Sequence, residues 1–476
     1  GKPVYAIGGG YVSRIKVSTG GYGKVVYITH PDGFVSVYGH LQRFTGALAD
    51  YVKALQYRKE SFVIEAYPDK EALPVRKGDV IAYSGNSGSS SAPHLHFEIR
   101  EEASQHPVNP LMFNGFEVKD FFRPRILELA VYPVDDASLI NGKNDTAFFP
   151  VAGWGEEHYL QGNPKIEVSG KVSFGIRTYD PMNDVPNKNG IYTIDFYRDD
   201  ARVFGLEMNK VSFATTRYLN SLIDYGHYKK EGGRLVRTQV DTNNRLFNYR
   251  EVINNGILIF PDSTVSTMKY VVKDVKGNTS SLEFVVKSTG NKDYAKRERE
   301  LIGESDGRFL SFKDSTIYSP VYHVHNRFTP VHKSFSVKII PEGYADSIAK
   351  KLYIAYRDGK GNSWYIGARW DEGWLSAESR LLGDYVVMAD TIPPELKPVN
   401  ISGSSKIKLR ISDRETGISR YRGEINGEWV LFEYEPKKNL LEYQPDEHLV
   451  AGENRLELTV RDLLGNETVY MTVISR

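Results

Sequence analysis

The sequence predicts an all-β protein, with one antiparallel domain followed by three tandem β-sandwich modules. Three observations carry this expectation. Tyrosine (31) and phenylalanine (22) are abundant among the 476 residues, and aromatic side chains favour strands. Apolar segments are short and broken by Gly, Pro, Asn and Asp, the residues that make turns. The pattern Asp-x-x-Gly-Asn recurs three times after residue 270, the mark of a repeated hairpin. A chain of this length exceeds what one hydrophobic core can organise, so three or four domains are expected.

In the first domain, residues 4–7 and 11–17 read as strands joined across Gly8-Gly9-Gly10. Gly20-Gly21-Tyr22-Gly23 turns the chain into residues 24–29, which alternate only loosely. Pro31-Asp32-Gly33 is a tight turn, with Pro and Gly supplying a fixed and a positive φ. Residues 34–38 follow as a strand that ends in Gly39-His40-Leu41, and Arg76-Lys77-Gly78-Asp79 turns into the strand at 80–83. Everything converges on residues 91–99, Ser-Ala-Pro-His-Leu-His-Phe-Glu-Ile. On a strand, residues i and i+2 share a face, roughly 6–7 Å apart. His94 and His96 are therefore expected to look into one space, with Leu95 and Phe97 toward the core. One imidazole there can bind a metal while its neighbour handles protons one water away.

Tyr38-Gly39-His40-Leu41, then Val75-Arg76-Lys77-Gly78-Asp79-Val80-Ile81, then Ser84-Gly85-Asn86-Ser87-Gly88, then Pro93-His94-Leu95-His96-Phe97-Glu98 stand in a specific order. That order resembles the LytM/lysostaphin-type zinc endopeptidases over residues 1–115. Gly1-Lys2-Pro3-Val4-Tyr5-Ala6 and Gly10-Tyr11-Val12 resemble that family's opening strands. Several short motifs in fixed order are far more specific than one His-x-His. The resemblance implies a LytM-like β-domain that hydrolyses peptide cross-links of bacterial peptidoglycan. It makes His96 a zinc ligand, and His40 and His94 the pair that positions and deprotonates the attacking water and stabilises the oxyanion. The chemistry agrees: catalytic zinc keeps an open position for water, and non-ligating imidazoles titrate near working pH. His30, beside its turn, reads as structural.

The family's other two ligands come from a His-x-x-x-Asp motif ahead of the segment that begins here at Gly1, and no such motif occurs in residues 1–476. A set made of His40, His94 and His96 would leave no base. The zinc ligands are thus expected upstream of Gly1. The alternative is a metal-free LytM-like scaffold or regulator within a cell-envelope complex. Residues 44–72 read as an insertion, with Leu48, Tyr51, Val52 and Leu55 at the spacing of an amphipathic helix and a strand at 62–66. It forms either a wall of the cleft or plain packing.

Beyond residue 115, Asp274-Val275-Lys276-Gly277-Asn278 and Asp462-Leu463-Leu464-Gly465-Asn466 each lie between two strands. This is the last hairpin of an immunoglobulin-like sandwich, with Gly-Asn supplying the positive φ; a calcium site at these Asp and Asn side chains is the alternative to a plain hairpin turn. Asp358-Gly359-Lys360-Gly361-Asn362 repeats it. The modules are placed at 121–290 (with an insertion at about 206–256), 306–391 and 396–476. Thr289-Gly290-Asn291-Lys292 and the charged run 296–300 read as a linker. Trp364, Trp370 and Trp374 read as core residues, with stacking on a sugar as the alternative, and His323-Val324-His325 as surface or packing. The layout resembles exported envelope proteins of Bacteroidetes-type bacteria.

Charge and composition narrow the function. Lys+Arg (61) and Asp+Glu (60) nearly cancel, which argues against a nucleic-acid partner. No apolar run approaches 18 residues, so no transmembrane segment is expected. The absence of cysteine points to an exported protein of the periplasm or envelope. Peptidoglycan is the expected partner, with other envelope proteins available to the sandwich modules.

Overall fold

In the N-terminal part, ten elements follow the glycine punctuation: β1 (Pro3–Tyr5), β2 (Gly10–Val17), β3 (Lys24–Thr29), β4 (Phe34–Gly39), β5 (Leu41–Phe44), α1 (Gly46–Arg58), β6 (Ile64–Ala66), β7 (Pro74–Val75), β8 (Val80–Ser84) and β9 (His96–Glu101). The computed structural model describes residues 1–116, 118–289, 294, 321–341 and 344–476. Antiparallel pairing gives one sheet in the order β9-β4-β3-β2-β6, with β7 also on β2, and a smaller sheet β1-β8-β5. Val12, Ile15 and Val17 of β2 are buried, and a bulge between Val12 and Arg14 stretches the first spacing from two residues to three. Val26 and Ile28 of β3 join that core, while Val25 and Tyr27 bury on the other face with Val35 and Val37. Burial on both faces explains the loose alternation of residues 24–29. The guanidinium groups of Arg14 and Arg100 cover Tyr27 at 4.8 and 5.3 Å from the ring centroid.

Helix α1 buries Leu48, Val52 and Leu55 as its spacing requires. Gln56 Nε2 donates to Phe62 O at 2.8 Å, tying the helix end to the segment before β6. The loops 20–23 and 85–89 meet backbone to backbone: Ser89 N donates to Gly21 O at 2.8 Å, and Lys24 N donates to Ser87 Oγ at 2.9 Å. A Cβ on Gly88 would lie 2.3 Å from Gly23 N, and the Gly88 φ of +71° is itself left-handed. Only glycine permits this approach.

Backbone contacts group the chain into two units, residues 1–105 with 318–324 and 334–476, and residues 106–317 with 325–333. Within the first unit, Val337, Ile354, Leu375 and Tyr385 form the core between two sheets drawn from residues 321–389. Residues 395–476 make two four-stranded sheets around Leu409, Phe432, Leu456 and Leu458. The second unit is one connected set of strands around Phe174, Phe196 and Tyr270, with short helices Leu219–Leu222 and Tyr225–Glu231. The protein is all-β in class. No helix among the described residues is long and apolar enough to cross a membrane.

Each Asp-x-x-Gly-Asn is a turn, but the positive φ belongs to glycine alone: Gly277 (+90°), Gly361 (+88°) and Gly465 (+77°). The asparagine instead donates its side-chain amide to the aspartate four residues back, at 2.6, 3.0 and 2.6 Å. The tryptophans expected in the core are exposed (Trp364 49%, Trp370 39%, Trp374 40%); they stand on strands whose inward places are taken by residues such as Leu375 and Ala377. Apart from Thr289, the expected linker at 289–292 and 296–300 lies outside the described residues.

Two glycine variants separate close approach from backbone strain. Gly33 also has a left-handed φ, but open space surrounds its missing Cβ. Gly33→Ala is expected to destabilise by about 1–2 kcal/mol. Gly88→Ala is expected to cost about 1–3 kcal/mol more than that because it also drives a methyl group into the Gly23 backbone. Urea midpoints of the two variants measure the difference.

Candidate active site

The register of β4 against β9 sets Gly39 opposite His96, so the residue after β4 is delivered beside the start of β9. That residue, His40, has a φ of 56°, a conformation unusual for a non-glycine residue and common where function needs it. Its N–H donates to Tyr22 O at 2.8 Å, which locks the turn to the glycine loop. The ring centroid of His40 lies 4.8 Å from that of His94 and 5.6 Å from that of His96. One nitrogen from each of the three lies within 4.8 Å of the others.

His94 precedes the strand rather than belonging to it. β9 begins at His96, and His94 makes an isolated bridge to Gly85, its N–H donating to Gly85 O at 3.1 Å. Strand alternation therefore does not extend to Leu95, which is 37% exposed instead of facing the core. Phe97 does pack against the core. His30 stands apart: its Nδ1 meets Gly9 O at 2.8 Å and its Nε2 meets Ser36 Oγ at 2.7 Å, so both nitrogens are engaged.

The hydrogen bonds define which nitrogens are free. A carbonyl oxygen only accepts. His40 Nδ1, 2.8 Å from Ser87 O, and His94 Nδ1, 2.8 Å from Ala92 O, must therefore carry hydrogen, leaving each Nε2 as a lone pair. His96 Nε2 lies 2.5 Å from Glu98 Oε1. When that nitrogen donates to the carboxylate, Nδ1 is left as the donor atom, the arrangement that orients a metal-ligating imidazole. Of the three rings, His96 can supply one of the three protein ligands that a catalytic zinc takes, with two further imidazoles beside it.

Glu98 anchors the arrangement. Tyr22 OH donates to its Oε1 at 2.5 Å, and Arg100 Nε donates to its Oε2 at 2.6 Å. Burial opposes its ionisation, but the hydrogen bonds from His96, Arg100 and Tyr22 prevail and hold the carboxyl down to about 2. Burial lowers the pKa of His40, the Ser87 carbonyl pulls the other way, and the charges of His94, His96 and Lys437 lower it further.

His94 borders a cleft of about 1520 Å³ whose lining also includes Gln42, Lys24 and, from residues 395–476, Glu433 and Asp446. Lys437 Nζ donates to the backbone carbonyls of Asn86 and Ser90 in the loop ahead of His94. Tyr57 at the end of α1 donates to Asp446 and stacks on His448 with ring centroids 5.0 Å apart. Arg422 Nη1 donates to Glu60 Oε2 at 2.6 Å. Sequence reading missed Glu98 as an orienting group, although its place two residues after His96 on a strand was a usable signal. Nothing local in the sequence points to Lys437.

Residues 1–57 and 68–110 match the model of peptidase family M23, and residues 308–390 match that of a Zu5-like domain. The DD-carboxypeptidase/endopeptidase Mpg of Neisseria meningitidis serogroup B is 33% identical over 111 residues, 23% of this chain and 20% of that protein. The chain thus spans about a fifth of the length of that relative. Lipoprotein NlpD of Yersinia enterocolitica is 30% identical over 113 residues, 24% of this chain and 90% of NlpD. A solved catalytic domain, from the prophage-encoded M23 protein EnpA of Enterococcus faecalis, is 27% identical, covering 24% of this chain and 72% of that one with a TM-score of 0.18. Through its first 110 residues, the chain belongs to peptidase family M23.

Proposed function

We propose that the N-terminal domain is a zinc-dependent endopeptidase that hydrolyses peptide cross-links of bacterial peptidoglycan in the cell envelope. The observation that carries this reading is the convergence of His40, His94 and His96, with one nitrogen of each turned into a common space. Membership of family M23 and the endopeptidase named among the relatives support the substrate class. The lipoprotein relative supports an envelope location.

His96 would hold the metal through Nδ1, its ring kept in place by Glu98. Bound zinc supplies a polarising charge and a water of lowered pKa. The proton work falls to His40 and His94, each with Nδ1–H tied to a carbonyl and Nε2 open. One accepts the proton of the attacking water. Its neighbour, when it also carries a proton on Nε2 and is thus an imidazolium, donates that N–H toward the oxygen where negative charge develops on the scissile carbonyl. A depressed pKa at His40 keeps that ring neutral and able to accept at neutral pH.

The test is incubation of the full-length protein with purified sacculi, with chromatography of released peptides and metal analysis of the protein. Zinc retention with peptide release is the expected result; a zinc-free protein that releases nothing would favour the scaffold reading instead. His40→Ala and His94→Ala are each expected to lower hydrolysis at least about 100-fold while zinc stays bound. Glu98→Gln is expected to weaken zinc binding about 10–100-fold, measured by competition with a chelating dye. Because the shift at His40 is downward from 6.5, the acid limb of kcat/KM assigned to that ring is expected below 6.5. Activity should be retained as pH falls to that value and lost beneath it, as a pH–rate profile on a soluble cross-linked peptide would report.

A further inference from the structure

A second set of groups lies in the unit that holds residues 106–317, where Asp120, Asp180 and Asp274 bring one carboxylate oxygen each to within 4.8 Å of the others. They come from three separate segments: the chain ahead of the strand Arg125–Pro133, the strand Lys171–Pro181, and the turn between Val265–Lys273 and Thr279–Ser288. All three are buried, Asp120 at 7% and Asp180 at 6% exposure. Both oxygens of Asp120 and Oδ1 of Asp180 have no hydrogen-bond partner among the described residues. Three buried carboxylates this close do not coexist ionised without a counter-charge.

The same framework occurs elsewhere in the chain with a different outcome. Asn278 Nδ2 donates to Asp274 Oδ2 at 2.6 Å and to Asp120 O at 3.2 Å. Asn466 Nδ2 donates to Asp462 Oδ2 at 2.6 Å and to Asp390 O at 3.1 Å. Asp390, Asp413 and Asp462 form the matching triad. There, protein groups satisfy the carboxylates: Thr416 Oγ1 donates to Asp390 Oδ2 at 2.7 Å, and the amides of Glu415, Thr416 and Gly417 donate to Asp413 Oδ1 at 3.1, 2.9 and 2.7 Å. The Asp120 triad has the same turn and the same asparagine clamp, but no such donors reach Asp120 or Asp180 Oδ1.

We infer that Asp120, Asp180 and Asp274 form a calcium site that fastens the segment around Asp120 to its sandwich. Calcium takes hard oxygen ligands at about 2.3–2.6 Å, and three carboxylate oxygens within 4.8 Å of one another can all reach one such ion. Magnesium demands near-ideal octahedral geometry and usually keeps several waters, which a buried cluster of carboxylates does not favour, and zinc favours nitrogen and sulfur alongside oxygen. The electrostatics point the same way. Burial, then the charges of Asp120 and Asp274, push Asp180 up to about 7. Burial and Asp274 likewise raise Asp120; the Phe122 amide leans toward it without completing a hydrogen bond, and Lys276 acts least. The competing occupant is a proton shared within the triad.

The experiment uses the full chain, stripped with chelator and titrated with calcium chloride by calorimetry at neutral pH, with magnesium chloride as the comparison. One calcium is expected at the triad, with a Kd of about 10⁻⁵ to 10⁻³ M, and saturating calcium is expected to raise the melting temperature by about 3 °C or more. Asp120→Asn and Asp180→Asn are each expected to weaken this binding at least about tenfold and remove the calcium-dependent shift. In chelator, both variants should melt higher than the unsubstituted protein because they relieve carboxylate repulsion. A role confined to packing would instead lower the melting temperature under both conditions. Failure of the unsubstituted protein to bind calcium up to about 10 mM overturns the site whatever the variants do, as does undiminished binding in the Asp120→Asn/Asp180→Asn double variant.

Discussion

The histidine cluster of the N-terminal domain depends on a buried carboxylate that stays charged. Glu98 sits at 8% exposure in the middle of β9, where an unpaired charge would be strongly destabilising. His96 and Arg100, two residues to either side on the same strand face, and Tyr22 from the glycine loop surround it with donors. Each partner is thereby fixed in turn. The His96 ring is aimed, the Tyr22 loop is pinned beside β9, and that loop's carbonyl receives the N–H of His40. Removing the carboxylate would release all of these at once, so one buried group governs the placement of His96 directly and of His40 through the Tyr22 loop.

Much of this domain was legible from sequence. The turn glycines, the apolar spacing of α1 and the ordered motifs around His40, His94 and His96 reflect local rules: φ angles that only glycine adopts freely, and the periods of helix and strand. What escaped was non-local or irregular. The bulge in β2 and the two-sided burial of β3 disturb alternation without leaving a distinctive residue behind. Leu95 was misassigned because the strand starts one residue after it, and strand boundaries are the least certain feature of a pattern. The tryptophans at 364, 370 and 374 were placed inside on residue type alone, whereas facing direction is set by register.

The repeated Asp-x-x-Gly-Asn turn was readable as a hairpin, with calcium as the lesser alternative, but the acids that join it from other segments were not. The turn supplies one aspartate and an asparagine clamp; the other two carboxylates arrive from segments some 90 to 150 residues earlier in the first case. In the second case the loop at 413–417 supplies amides and a threonine hydroxyl as well. One backbone motif thus serves two electrostatic solutions, and only the surrounding donors tell them apart. The third copy, at Asp358, is half-buried and gathers no further acids among the described residues.

The cleft beside the histidines has one side made by residues 395–476, through Lys437 on the 85–90 loop, Asp446 under α1 and Arg422 at Glu60. These partners lie more than 300 residues apart in sequence, and contacts of such separation form late because loop closure must precede them. A ribosome or export channel releasing this chain in order therefore delivers the histidine cluster long before it delivers the opposite bank of the groove. During that interval the cluster stands open on one side. Proteolytic loss of residues 395–476 would return a mature molecule to the same unroofed form, so the reach of the groove is a property of chain integrity as much as of the peptidase domain itself.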